Sequence, residues 1–311
     1  MSQATYVIAS TPRSGSSLLA AGLVATGVAG RPEEYFTPDY IGSYKEDLKL
    51  PMDCSWAEYL AKVMAFAATE NDVRGVKIHW RHVVLLARAL GFHGDPGVVL
   101  EVLFPAAVFV NIVRADRRAQ ALSLFRAETT GEWFRSPGLS RRARAWGLYL
   151  ARPTPGRAAV DLTGVVPPYE QIIEMERSLD AEQAAWTNYF ATRRLNVLTV
   201  RYEELDANYQ GEIARVLHFL GADPAHAAGV LKPPLERQSD HINEYWRRLI
   251  DHEHRNLTEL TDVQQPSRIE SADEAVAVVW SRLAQPLDDR GVVHPAALAH
   301  GLHSGQSEHL I

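Results

Sequence analysis

The sequence predicts an α/β protein in which helices cover both faces of a mostly parallel central sheet, a three-layer α/β/α arrangement. Three observations carry that prediction. Short runs rich in β-branched and aromatic residues alternate with longer stretches of helical pattern. One run, "AVFVNIVR" at 107 to 114, is apolar along its length, as a parallel strand buried beneath helices must be. The first run ends in "STPRSGSS", which turns at once into a helix.

In chain order the strands are "TYVIAS" (5 to 10), "RGVKIHW" (74 to 80), "AVFVNIVR" (107 to 114) and "NVLTVRYEEL" (196 to 205). Helices are expected over 16 to 26, near 57 to 69, from near 117, around 140 to 150, from about 168 to 193, and at 210 to 220 and 241 to 253. The Pro- and Gly-rich stretch "ARPTPGRAAVDLTGVVPP" (151 to 168) reads as a long loop. After residue 254 the character changes to a linker, a short amphipathic helix and a polar tail. The expected organisation is one large domain over 1–253 and an extension over 254–311. The four histidines between 294 and 309 lie in that tail, where nothing fixes the geometry a metal needs.

A chain of 311 residues with 46% hydrophobic residues is long enough to bury a full core. Its net charge of −6 favours neither nucleic acid nor an anionic membrane. No apolar run approaches the roughly 20 residues of a membrane span, and the N-terminus has no basic stretch followed by an apolar core. A single cysteine, Cys54, excludes an internal disulfide and suits a reducing compartment, so the expectation is a soluble cytoplasmic protein. The sequon at Asn256 is then a chance match.

The strand-to-helix turn offers an anion site: backbone N–H groups and a helix N-terminus converge there, and Gly15 permits close approach. Such a turn belongs to P-loop NTPase-like folds, but it departs from G-x-x-x-x-G-K-[ST]. Aligned on Gly15, Ser10 stands at the first glycine and Ser16 at the lysine. What remains is a set of hydroxyls (Ser10, Thr11, Ser14, Ser16, Ser17) and one guanidinium, Arg13, suited to a compact anion more than to a metal-bound triphosphate. A turn whose hydroxyls merely cap the helix is the bland alternative. Arg114 ends the third strand, at the sheet edge where α/β proteins bind ligands, with Ser123 on the helix beyond. Arg114 could instead pair with Asp116, and Arg117, Arg118 and Arg126 read as solvated helix-face charges.

"TPRSGSSLL", "ATGVAGRPEEYF" (25 to 36), "GVKIHW" (75 to 80), "VRADRRAQALSLFRA" (113 to 127) and "PLERQSDHINEYWRRLI" (234 to 250) together resemble the sulfotransferases that use 3′-phosphoadenosine-5′-phosphosulfate (PAPS). The order is similar to that of the mycobacterial trehalose 2-sulfotransferase family. The resemblance implies that Pro12, Arg13, Ser14, Gly15, Ser16 and Ser17 hold the 5′-phosphosulfate. It also implies that Arg114 and Ser123 hold the 3′-phosphate, and that Arg237 and Gln238 close over the nucleotide. PAP (3′,5′-adenosine bisphosphate) would be the product, a sugar or glycoside hydroxyl the acceptor, and a homodimer the assembly.

Sulfuryl carries less negative charge than a terminal phosphoryl group, so the missing lysine and metal have a chemical reason. Arg13 and Lys77, one of five lysines in the chain, are the candidates for the bridging oxygen. Glu34 in "RPEEYF" stands where the trehalose family places its base. His79 shares a strand face with Lys77, and Lys-x-His is the arrangement of animal cytosolic sulfotransferases, in which the histidine is the base. Either residue fits that role. Loops 37 to 56 and 127 to 168 are expected to shape the acceptor pocket. A nucleotide kinase or other NTP-using enzyme, and a non-catalytic PAP-binding module, are the alternative functions.

Overall fold

The computed structural model describes residues 4–133, 160, 162, 164–230 and 241–263. The fold below is that of the compact unit Met1–His254. Four strands, β1 (Ala4–Ser10), β2 (Val73–His79), β3 (Val108–Val113) and β4 (Val197–Arg201), lie in the order β2-β1-β3-β4, and every pair is parallel. β1 connects outward to β2 and β3 outward to β4, so the direction of winding reverses between β1 and β3. That crevice, at the carboxyl ends of the strands, is where such sheets bind ligands.

Alternation along β1 divides the core. Tyr6 and Ile8 face one layer with α1 (Ser16–Ala25) and α9 (Tyr209–Phe219). Val7 and Ala9 face the other, with α3 (Trp56–Phe66), α4 (Trp80–Ala89), α5 (Val98–Leu103) and the long α7 (Tyr169–Arg193). All four side chains are fully buried, which explains why this strand reads as an unbroken apolar run. α3 begins with a capping box in which Ser55 and Glu58 satisfy each other's backbone N–H.

Two long helices reach the end of β1. From α7, Trp186 donates its indole N–H to the Ser10 carbonyl at 3.0 Å. From α6 (Arg117–Thr130), Gln120 donates to Thr11 Oγ1 at 2.9 Å and to the Pro12 carbonyl at 2.6 Å. The turn after β1 is therefore held from behind by side chains more than a hundred residues away.

Several elements depart from the sequence expectation. The last strand stops at Arg201, and Tyr202–Ala207 forms a helix, α8, whose first turn carries Glu203 and Glu204 as a helix N-terminus favours. The expected loop over 37 to 56 contains α2 (Pro38–Asp47), and residues 127 to 130 finish α6. α4 and α5 occupy the interval between β2 and β3. The last described helix, α10, runs His241–Val263, ten residues beyond the expected end. The helix expected around 140 to 150, most of the loop at 151 to 168, and the tail beyond 263 lie outside the described residues.

The three arginines of α6 are paired rather than open charges on the helix face. Arg117 pairs with Asp180, and Arg118 with Glu176 and Asp251. Arg126 is 4% exposed and donates to Asn243 Oδ1 at 3.0 Å. They face inward because α6 is covered by α7 and by the first turns of α10, where Trp246 is fully buried and donates to the Val165 carbonyl at 2.7 Å.

Candidate active site

The turn at 10 to 17 is shaped by two residues with positive φ, Arg13 at 61° and Gly15 at 92°. Gly15 is required for a second reason: a Cβ there would lie 2.5 Å from Cδ2 of Tyr202. As N-cap of α1 it supplies no side chain, and no side-chain cap bond is made, so the turn's hydroxyls do not cap this helix. Ser14 Oγ is fully buried with no hydrogen-bond partner. Leaving such a group unsatisfied costs roughly 1–3 kcal/mol, which an anion at the helix N-terminus would offset.

On the β3 side of the crevice the guanidiniums gather. Arg13 Nε donates to Ser123 Oγ at 2.9 Å, and its NH1 to the Trp133 carbonyl at 2.5 Å. Arg114 donates to the Arg13 carbonyl at 3.2 Å and lies 4.6 Å over the Tyr202 ring. Burial, then the charge of Arg114 and, less strongly, Arg126, pushes the Arg13 pKa down to about 10, with Tyr202 acting against them. Asp116, the acid that could have paired with Arg114, instead caps α6 at Ala119 and pairs with Arg247 at 2.5 Å. Crowded like charges beside a serine hydroxyl make a site for a multiply charged anion.

On the β2 side lies the second group. Lys77 and His79 point the same way from β2, and both meet Glu34 Oε1, at 2.7 Å and 3.5 Å. Glu34 reaches them because its neighbour Glu33 bridges to Val76 and accepts from Lys77 N at 3.0 Å, hooking this segment onto the outer edge of β2. Lys77 Nζ also donates to Ser17 Oγ at 2.8 Å, which joins this group to the anion turn. Burial alone would raise the Glu34 carboxyl, but Lys77 and His79 outweigh it and hold it well below the usual carboxylate range. His79 Nδ1 lies 2.8 Å from Ser10 Oγ. Ionised Glu34 is acceptor-only, so the hydrogen bond it receives from His79 places a ring proton on Nε2, and in the neutral ring Nδ1 is the acceptor facing Ser10 Oγ.

The structure thus sorts the sequence candidates into two neighbouring sets. Arg13, Arg114 and Ser123 form one, and Lys77, His79 and Glu34 the other, with Ser14, Gly15, Ser16 and Ser17 between them. Pro12 contributes its carbonyl to Gln120. Arg237 and Gln238 lie outside the described residues. Sequence reasoning missed Tyr202, Arg126, Thr37 and His82. For His82 a signal existed in its spacing of three from His79; for Tyr202, whose partner Gly15 is far away in sequence, there was none.

Residues 5–251 match the family described as Stf0 sulphotransferase. Trehalose 2-sulfotransferase of Mycobacterium tuberculosis (strain ATCC 35801 / TMC 107 / Erdman) is 28% identical over 271 residues, covering 78% of this chain and 92% of that protein. Trehalose 2-sulfotransferase of Mycolicibacterium smegmatis (strain ATCC 700084 / mc(2)155) is 30% identical over 273 residues, with the same coverage of 78% and 92%. A solved structure, the sulfotransferase domain from the Synechococcus PCC 7002 olefin synthase, aligns over 78% of this chain and 80% of its own at 17% identity, with a TM-score of 0.30. With an anion turn, a guanidinium cluster and a lysine-bound carboxylate arranged around one crevice, and a family match spanning the whole of that arrangement, the chain belongs to the Stf0 sulfotransferase family and is an enzyme that transfers sulfate.

Proposed function

We propose that the enzyme moves a sulfuryl group from PAPS to a hydroxyl of a carbohydrate or glycosylated small molecule, with trehalose the first acceptor to test. The observation that carries this reading is Lys77, whose single ammonium joins Ser17 of the anion turn to Glu34. The residues fit the donor. The buried Ser14 hydroxyl wants a partner, Gly15 leaves no side chain in the way, and Arg13, Arg114 and Ser123 suit a 3′-phosphate. Arg237 and Gln238 close over the nucleotide. PAPS supplies an activated sulfuryl group, and PAP is what remains after transfer.

Glu34 is the general base. Ionised, it can only accept, and Lys77 and His79 keep it ionised at working pH. A low pKa makes a weak base, which suffices when the acceptor proton leaves late, after the forming S–O bond has acidified it. Taking that proton cancels the charge Lys77 was paired with and frees the ammonium for the departing bridging oxygen. His79, anchored by Ser10, positions the acceptor. The catalytic unit is 1–253, with 254–311 an appended segment, and the enzyme works as a cytoplasmic homodimer. Among the described residues no helix is long and apolar enough to cross a membrane.

The deciding experiment offers labelled PAPS with trehalose, other glycosides and glycosylated natural products. Transfer to a sugar hydroxyl supports the reading. PAP binding without transfer to any acceptor would favour a binding module, and equal affinity for ADP an NTP-using enzyme. The trehalose activity in the relatives' names supports a sugar as the first choice.

A further inference from the structure

The two oxygens of Glu34 are held differently. Oε1 faces Lys77 and His79, whereas Oε2 accepts from Thr37 Oγ1 at 3.2 Å. Thr37 is the N-cap of α2, yet its hydroxyl makes no cap bond. The oxygen of a threonine in that position ordinarily accepts from a backbone N–H of the first turn. Here the hydroxyl is diverted, and on its other side it lies 2.9 Å from Nδ1 of His82. His82 stands in the first turn of α4, its ring 5.3 Å from that of His79.

Proton directions follow from the carboxylate. Ionised Glu34 is acceptor-only, so the Thr37 proton goes to Oε2, and the Thr37 oxygen must accept from His82 Nδ1–H. Burial, then the charge of His79, with Arg81 and Lys77 adding and Glu34 opposing, pushes the His82 pKa down to about 3. A proton handed from Glu34 through Thr37 would find no stable resting place on that ring. The string therefore holds a geometry and does not conduct.

We propose that Thr37, backed by His82, is a positioning residue that fixes the Glu34 carboxylate so that Oε2 faces the acceptor hydroxyl. This rests on Glu34 as the general base.

The first test needs no acceptor: 15N NMR of the full chain, reading which His82 nitrogen carries the proton. Protonation at Nδ1 is expected. Protonation at Nε2 would turn the Thr37 hydroxyl toward His82 and away from Glu34, and would overturn the proposal. The second measures PAPS turnover with trehalose, PAP affinity and melting temperature. Thr37→Val should lower kcat by about 10- to 100-fold with PAP affinity and melting temperature unchanged, and Thr37→Ser should recover most of it. In a Glu34→Gln background Thr37→Val should have no further effect. A Thr37→Val enzyme as fast as the native one, or slower only in proportion to a fall in melting temperature, overturns the proposal. Glu34→Gln that keeps its turnover would instead remove the base assignment, a result separable from the other two.

Discussion

Lys77 Nζ and Glu34 Oε1 are 2.7 Å apart with the ammonium side chain only 4% exposed, and the ammonium holds the Glu34 carboxyl in its ionised form. A group whose folded pKa is depressed contributes stability above its unfolded pKa, about 4.3 for glutamate, and loses it as pH falls through the folded value. Glu34 is of that kind. Replacing Lys77 by Met removes the dominant opposing charge and leaves burial, so the Glu34 carboxyl should rise. The acid limb of the turnover profile should move to higher pH, and 13C titration of the carboxyl should show the same direction.

Arg114 over Tyr202, beside Arg13 and Ser123, predicts preference for a 3′-phosphate. Arg114→Ala should weaken PAP binding by roughly 1.5–3 kcal/mol, the scale of a hydrogen bond to a charged group, and leave ADP binding nearly unchanged. Calorimetry on both ligands checks this. Equal affinity of the native enzyme for ADP and PAP would remove the assignment.

Gly15 and Gly27 provide a matched pair. Both have positive φ, 92° and 74°, but a Cβ at Gly27 meets nothing within 4 Å while one at Gly15 runs into Tyr202. Alanine at Gly27 should therefore cost only the backbone term, about 1–2 kcal/mol. At Gly15 the same substitution should cost more and also abolish tight PAP binding, as melting curves with and without PAP will show.

The roles of Glu34 and His79 separate by kinetics. Glu34→Gln should lower kcat by about 10² to 10⁴ with PAP affinity intact, and His79→Asn should have the smaller effect. The reverse pattern would make His79 the base.

Turnover should survive EDTA, because the turn carries Ser16 where an NTPase loop has its lysine and the transferred group bears less charge. Loss of activity restored by Mg²⁺ would return the NTP-using reading.

Much of this arrangement was legible because it is local. β1 and its turn, the shared face of Lys77 and His79, and Arg114 at the end of β3 all follow from short-range periodicity and turn chemistry. What escaped notice depends on distant contacts. "NVLTVRYEEL" has a strand-like start that gave no warning of the switch at Tyr202, because what Tyr202 packs against is Gly15 and Arg114. α4 starts on the residue after β2 ends, so no turn residue marks the boundary. Arg126 looks like a surface charge until α10 covers it with Asn243.

The segment carrying Glu33 and Glu34 has a second consequence. β2 is the outermost strand on its side, and a bare strand edge invites pairing with other chains. The bridge from Glu33 to Val76 occupies part of that edge. The Glu34 carboxylate is thus mounted on the guard that keeps the sheet from growing. Substitutions that loosen the guard, by shortening the turn before it or opening the Gly30 approach to Gly75, would then show themselves first as aggregation of an otherwise folded enzyme.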